Sequence, residues 1–248
     1  MLLEQLSYTN RWRRIHPGAK VLFAVCGVTA ASLSNTPSQT LIISLLLTAT
    51  TVIGAKIPIG SYLKVLAAPM LFLLVSGLTL AVAVEVNNSY PWFVFSFPEQ
   101  QQFLALKVCS RSLGCMAALL FLAFTTPLND IISLLRKFRC PSILTDLMTL
   151  CFRTLFVFTD IIHDVSTAQS SRLGYATTRN AMNSLGIMIA ALMVQVWQRS
   201  IMLHQSALSR ANDGPLYFLT PEYPWARSSM FAAATAGTFL IILAVLAL

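Results

Sequence analysis

The chain has 248 residues, of which 56% are hydrophobic and only 10% are charged, and its mean hydropathy is +0.70. Soluble domains carry about 25% charged residues, so this composition excludes an ordinary soluble domain and indicates a membrane bundle. The formal charge of +8 does not indicate nucleic-acid binding, because the basic residues lie in loops beside apolar segments. The five cysteines form no CxxC pair, so we predict neither a disulfide framework nor a zinc site.

Five apolar runs predict an all-α integral membrane protein with about five transmembrane helices. The runs are 19–33, 40–53, 65–86, 103–124 and 230–248. The first two are shorter than the roughly 20 residues of a usual span, but flanking Ser and Thr can extend them because their hydroxyls bond back to the preceding turn. The N-terminal segment before them is basic, and Trp12 is interpreted as an anchor in the headgroup layer.

The distribution of Lys and Arg predicts the orientation. Residues 1–20 contain four of them, loop 55–64 contains two and region 125–227 contains nine, whereas the 34–39 and 87–102 loops contain none. Positive loops stay on the cytoplasmic side of a membrane. Five spans therefore put the N-terminus and region 125–227 in the cytoplasm and the C-terminus outside.

The chain divides into three predicted regions. Residues 1–124 form a membrane part with four spans, residues 125–227 form a cytoplasmic region inserted before the last span, and residues 228–248 form that span. The middle region is predicted to contain one short amphipathic helix at 127–138 and two long amphipathic helices. The long helices are expected at about 142–172 and 183–210. A hydropathy window also fits both, which would raise the number of spans to six or seven.

Both long helices end in arginine, at Arg172 and Arg210, and a glycine follows two and four residues later. The simplest interpretation is local, because a cation offsets the dipole at a helix C-terminus and a nearby glycine suits a left-handed turn. Two such ends on consecutive helices favour a second interpretation. Arginine is rigid, always charged and suited to bidentate pairing with carboxylates, so the pair could dock into two copies of one partner.

The sequence gives less support to metal binding, catalysis or ATP binding by this chain. Asp160, His163 and Asp164 share a helix face but lie on a polar stripe, so a solvated face is favoured over a metal site, and no metal site or catalytic residue is predicted. The chain has no Walker A glycine loop.

Lys107 and Arg111 share a face of the fourth run. They are interpreted as reaching the outer headgroups, with contact to a partner subunit as the alternative.

The chain resembles the transmembrane T component of energy-coupling-factor (ECF) importers, and is most similar to the CbiQ branch for cobalt. The segment Trp12-Arg13-Arg14-Ile15-His16-Pro17-Gly18-Ala19-Lys20 resembles the start of that branch. The two arginine ends resemble the family's pair of Ala-Arg-Gly coupling motifs, and they depart from it around the arginine. The matching tripeptides are Ser171-Arg172-Leu173 and Ser209-Arg210-Ala211.

The resemblance implies a non-catalytic subunit in a multi-pass arrangement in the bacterial inner membrane. Its partners would be two CbiO-like ATPases, which hold ATP and magnesium, and a CbiM-like substrate-capturing subunit, with or without a CbiN-like protein. This chain would hold no cofactor itself and would bind no nucleic acid. Nickel or vitamin uptake is the alternative within the family. A stand-alone channel or secondary transporter is the alternative from another class, and it predicts ionisable residues along a pathway or inverted repeats.

Overall fold

The computed structural model describes residues 2–81, 83–86, 93–96, 98–211 and 226–246, and α-helices make up most of this part of the chain. In chain order they are α1 (Leu2–Thr9), α2 (Pro17–Leu33), α3 (Pro37–Ala49), α4 (Ile59–Ala81), α5 (Glu99–Thr125), α6 (Leu128–Lys137), α7 (Ser142–Ser171), α8 (Thr178–Ser209) and α9 (Ala226–Leu246). A 3₁₀ turn at Arg11–Arg14 precedes α2, and a π-helical turn at Thr50–Gly54 extends α3. The predicted all-α class is confirmed.

A short antiparallel pair of strands was not predicted. β1 (Ala83–Val86) pairs with β2 (Phe93–Ser96), and five of the eight residues in the two segments are of the β-branched or aromatic kinds that favour strands. The predicted third run, 65–86, therefore extends too far, because α4 ends at Ala81. The predicted outside loop 87–102 lies partly beyond the described residues.

The chain forms two compact units. The first unit comprises Met1–Leu134 and Pro221–Leu248, and the second unit comprises Leu135–Thr220. The 125–227 region predicted from the sequence contains the whole second unit, and its own bounds stay a prediction. The boundary at residue 134 falls inside α6, so one helix leads from the first unit into the second.

The first unit is organised around α2 and α5, which pack against each other; α2 also packs against α9, and α5 also packs against α3 and α4. Phe23 of α2 meets Phe121 of α5 edge-on, with ring centroids 5.1 Å apart. Small residues let the helices approach closely: a Cβ added at Gly114 would lie 2.8 Å from the Ala31 Cβ. Such contacts drive helix association in lipid, where no hydrophobic effect holds helices together.

Six helical segments in the described part are long and apolar enough to cross a membrane. They are Pro37–Gly54, Ile59–Ala81, Gln101–Thr125, Ser142–Ser171, Thr178–Ser209 and Arg227–Leu246. The apolar helix α2 has 17 residues and is shorter than these. All five predicted spans are therefore present as helices, and α7 and α8 also meet the criterion. Length and composition establish a multi-pass membrane protein and leave the prediction of five spans open.

Arg111 has a role within the chain that its sequence position did not reveal. Its Nη2 donates to the carbonyl oxygen of Ser34 at 3.1 Å, at the C-terminal end of α2. A cation at this place satisfies a carbonyl that the helix leaves free and offsets the helix dipole. Arg111 therefore ties α5 to the turn between α2 and α3, in addition to either role considered from the sequence.

Candidate functional site

The first candidate coupling element is the C-terminal end of α7. Arg172 is the C-cap residue, with φ −97° and ψ 17°. The backbone N–H of Leu173 donates to the Ser170 carbonyl at 3.1 Å, and the N–H of Gly174 donates to the Gln169 carbonyl at 2.9 Å. These two bonds define a Schellman turn, which closes a helix by satisfying its last carbonyl groups. The turn fixes the backbone on both sides of Arg172.

The end of α8 repeats this geometry. Arg210 is again the C-cap residue, with φ −99° and ψ 8°. The N–H of Ala211 donates to the Leu208 carbonyl at 3.0 Å, as the corresponding Leu173 N–H does in α7. The residue that would make the next bond lies outside the described residues. The two arginines, 38 positions apart in the sequence, therefore occupy the same position in the same kind of helix end.

The flanking serines are alike as well. The Ser171 hydroxyl donates to the Ala168 carbonyl at 2.9 Å, and the Ser209 hydroxyl donates to the Ser206 carbonyl at 3.0 Å. Each hydroxyl thus bonds three residues back along its own helix. Both serines are exposed, and each hydroxyl donates to its own helix.

Both arginines are exposed to their surroundings. In the part of the chain that the structure describes, neither guanidinium group forms a hydrogen bond or an ion pair. Leu173, beside Arg172, has 72% of its surface exposed. The two ends are therefore accessible, and a partner that binds them does not first have to break contacts within the described residues.

The left-handed turns do not use glycine, contrary to the sequence-based interpretation. Leu173 has φ 56° and Ala211 has φ 50°, whereas no glycine in the described ranges has a positive φ. Left-handed backbone costs a residue with a Cβ roughly 1–2 kcal/mol. The Ala-Arg-Gly motif that these two ends resemble has glycine at this third position, which a left-handed turn favours. Here leucine and alanine hold the same conformation under strain.

This strain leads to a stability prediction. We expect Leu173→Gly to raise the free energy of unfolding by about 0.5–1 kcal/mol, because relief of strain outweighs the added freedom of the unfolded chain. Little burial is lost, since Leu173 is largely exposed. The measurement is the thermal unfolding midpoint in detergent, with Leu173→Ala as a control that keeps the strain. An unchanged or lower midpoint for the glycine variant would contradict the assignment of strain.

A hydrogen-bonded joint holds the first helix end against α8. Gln169 Nε2 donates to the Ser184 carbonyl at 2.9 Å, and the Ser184 hydroxyl donates to the Gly174 carbonyl at 2.9 Å. The Tyr175 hydroxyl donates to Gln169 Oε1 at 2.7 Å. Ser184 is buried, with 7% of its surface exposed. Sequence analysis missed this joint, because Gln169 and Ser184 meet only once the chain has turned between the helices.

Gly174 is required in this joint by close approach rather than by its backbone conformation. A Cβ at this position would lie 2.7 Å from Ser184 Oγ and 2.9 Å from the Gln169 carbonyl oxygen. The serine could rotate away, but the carbonyl belongs to the backbone of α7. Any larger residue therefore has to displace the turn that carries Arg172.

The second unit also exposes a large apolar surface on α7 and α8. The most exposed of these side chains include Ile143, Leu147, Leu155, Met182, Ile187, Met193, Val194, Trp197 and Met202. Monomeric soluble proteins rarely leave so many large apolar side chains of two helices uncovered. These two helices therefore require lipid or another protein around them.

Asp160, His163 and Asp164 are exposed on α7. His163 Nδ1 and Asp164 Oδ1 are 4.0 Å apart, and both side chains are more than four-fifths exposed. No group of three suitable ligands is found in the part of the chain that the structure covers. The assignment of Asp160, His163 and Asp164 to a solvated polar stripe stays a prediction.

A family model described as "CbiQ: Cobalt transport protein" matches residues 9–217. The chain belongs to the CbiQ family of cobalt transport proteins. The matched region begins at the end of α1 and includes both Arg172 and Arg210. The two helix ends of this CbiQ-family chain therefore lie within the region that the family model covers. Transport in a membrane is consistent with the helices described above.

Several proteins are similar to this CbiQ-family chain. An uncharacterized protein of Methanocaldococcus jannaschii is 30% identical and covers 99% of the chain and 93% of its own length. The cobalt transport protein CbiQ of Rhodobacter capsulatus is 26% identical, covering 88% and 87%. A putative fused cobalt transport protein CbiMQ of Methanocorpusculum labreanum is 27% identical over 86% of this chain, which corresponds to 37% of that longer protein.

Proposed function

We propose that this chain is the energy-coupling T subunit of an ECF-type importer, most readily for cobalt ions. The observation that carries the proposal is the repetition of one geometry: an exposed arginine at the C-cap position of each of two long helices in the same unit. A cation that only stabilises its own helix needs no matching copy on the next helix. Two matching copies suit a partner that is itself present twice.

The chemistry of arginine fits that task. Its planar guanidinium group forms two parallel hydrogen bonds with a carboxylate, which gives both strength and a defined direction. A Schellman turn holds the backbone of Arg172 in place, and the joint between Gln169 and Ser184 holds that turn. A docked ATPase could therefore push on a rigid end rather than on a loop that yields.

The charges on α7 support a place outside the hydrocarbon core. α7 carries Asp146, Arg153, Asp160 and Asp164 along its length, and each ionised group costs about 2.5–3.5 kcal/mol at the centre of a spanning helix. The same helix has a broad apolar face. An interfacial position satisfies both faces, and the excess of basic residues in region 125–227 favours the cytoplasmic side for this unit.

The proposed partners follow from the family and the apolar surface. Two CbiO-like ATPases would bind the arginine ends and hold ATP and magnesium, so that this chain performs no catalysis. A CbiM-like subunit would capture the metal. This agrees with the name of the M. labreanum relative, a putative fused cobalt transport protein CbiMQ. The exposed apolar faces of α7 and α8 offer such a membrane subunit a surface to cover. ATP-driven closure of the ATPases would then move the two helices and, with them, the captured substrate.

Reconstitution tests this function. The chain is produced together with a CbiO-like ATPase and a CbiM-like protein, and the purified complex is placed in lipid vesicles. We expect two ATPase copies per chain and cobalt uptake that requires ATP on the ATPase side, with nickel measured in parallel. Cobalt uptake by the chain alone, without ATP, would instead establish a channel or secondary transporter.

A further inference from the structure

Two buried side chains from the N-terminal part of the chain meet at the C-terminal end of α5. Lys20 Nζ donates to the Thr125 carbonyl oxygen at 2.8 Å. Asn10 Nδ2 donates to the same oxygen at 3.2 Å and to the Phe124 carbonyl oxygen at 3.0 Å. Lys20 has 3% of its surface exposed, Asn10 has 9% and Thr125 has none. Carbonyls that a helix leaves free at its end are thus satisfied by residues more than a hundred positions away.

A simple helix cap does not require a buried lysine. Removing an ammonium group from water costs several kcal/mol even after the protein adjusts around it. α6, α7 and α8 end differently: a left-handed residue just beyond each helix, Arg139, Leu173 or Ala211, folds back and donates its backbone N–H to one of the last carbonyls, whereas Thr126 after α5 is extended. The chain therefore closes other helices without any buried charge. The end of α5 has a connection that local closure would not provide.

The N-terminal part of the chain, residues 8–18, also contacts α6. Asn129 Nδ2 donates to the Tyr8 hydroxyl at 3.1 Å, and a Cβ at Gly18 would lie 3.3 Å from Leu134 Cδ1. The segment is itself fixed by Trp12, whose ring meets Phe121 edge-on at 5.8 Å and packs against Gly54. The ring of Trp12 is half-buried against the first unit, and its interpretation as a headgroup anchor stays a prediction.

The position of this cluster in the chain suggests its purpose. Only two residues, Thr126 and Pro127, separate α5 from α6, and the boundary between the two units falls inside α6. A movement that starts at Arg172 or Arg210 and passes back along the chain reaches α5 through this two-residue connection. If the connection were flexible, α6 would move without moving α5.

We propose that Lys20 and Asn10 are positioning residues for energy coupling, which clamp the end of α5 so that displacement of α6 is passed to the membrane helices. This inference rests on the proposed function. The clamp lies in the first unit and both arginine ends lie in the second. Weakening the clamp therefore leaves ATPase binding and ATP hydrolysis intact and lowers only the amount of substrate moved per ATP.

The test uses the complete complex in vesicles and measures ATP hydrolysis and cobalt uptake together. We expect Lys20→Met to lower the ratio of uptake to hydrolysis by about tenfold, since a hydrogen bond to a charged group typically shifts an equilibrium by at least that factor. Lys20 and Asn10 share the Thr125 oxygen, so their effects are coupled. The double variant with Asn10→Ala should lose more than the product of the single losses. Lys64→Met, an exposed lysine of α4, is the matched control.

A second measurement needs no variant. Hydrogen exchange of the backbone amides of residues 121–130 should stay slow during ATP turnover in the wild-type complex, because a rigid joint does not open. Faster exchange during turnover, or an unchanged ratio in the double variant, would overturn the clamp. A wild-type complex that neither binds ATPases nor couples ATP to uptake would instead remove the proposed function, and the clamp with it.

Discussion

Replacing Arg172 and Arg210 together by alanine is expected to release the ATPase subunits and to stop cobalt uptake, while the chain remains folded in the membrane. Removing one partner of a docked charge pair costs about 2–5 kcal/mol, so the loss of both weakens binding by several orders of magnitude. Stability should fall by no more than about 1–2 kcal/mol, the contribution of two cations at helix C-termini, because both side chains are exposed and form no hydrogen bond or ion pair within the described residues. Co-purification and the thermal unfolding midpoint measure the two effects.

The controls separate charge from geometry. Arg199→Ala removes an exposed arginine from the middle of α8 and should leave ATPase binding unchanged. Arg172→Lys keeps the charge but loses the planar fork, and it should give intermediate affinity. ATPases that remain bound to the double alanine variant at wild-type affinity would refute the coupling role of both arginines.

The second large effect is expected from Gly174→Ala, a change that leaves both arginines in place. The added methyl group would lie 2.9 Å from the Gln169 carbonyl oxygen, so the turn that carries Arg172 must shift. Overpacking of this kind costs about 1–3 kcal/mol. Both the unfolding midpoint and the affinity for the ATPases should fall, although no contact residue has been removed.

Gly186→Ala is the matched control for this prediction. Gly186 lies inside α8 with open space where its Cβ would be. Alanine there should raise stability by up to about 1 kcal/mol through its higher helix propensity and leave ATPase affinity unchanged. If Gly174→Ala behaves like Gly186→Ala, the joint between α7 and α8 does not position Arg172.

The features that sequence analysis predicted well depend on local patterns. Apolar runs and polar stripes gave the helices, and Arg172 and Arg210 were assigned to helix ends because their neighbours break the helical pattern. The left-handed residues were misassigned to glycines, since propensity favours Gly174 while the hydrogen bonds put the left-handed conformation at Leu173. Local preference predicts that a turn occurs and leaves its register open by one residue.

The features that sequence analysis missed join distant parts of the chain. Lys20 was counted as a cytoplasmic charge, yet it is buried against the end of α5. Trp12 was interpreted only as a headgroup anchor, and its ring also packs against Phe121 and Gly54. In both cases the contact joins residues far apart in sequence, so no local pattern could predict it.

Side-specific labelling tests the central claim most directly. Single cysteines are introduced at the exposed positions Ser171, Ser209 and Asn35, each in a background from which the five native cysteines have been removed. A maleimide that cannot cross the membrane is then applied to intact and to permeabilised cells. We predict that position 35 reacts in intact cells, whereas positions 171 and 209 react only after permeabilisation. Reaction of 171 or 209 in intact cells, or at neither stage, would put that helix end outside the cell or in lipid, beyond the reach of a cytoplasmic ATPase.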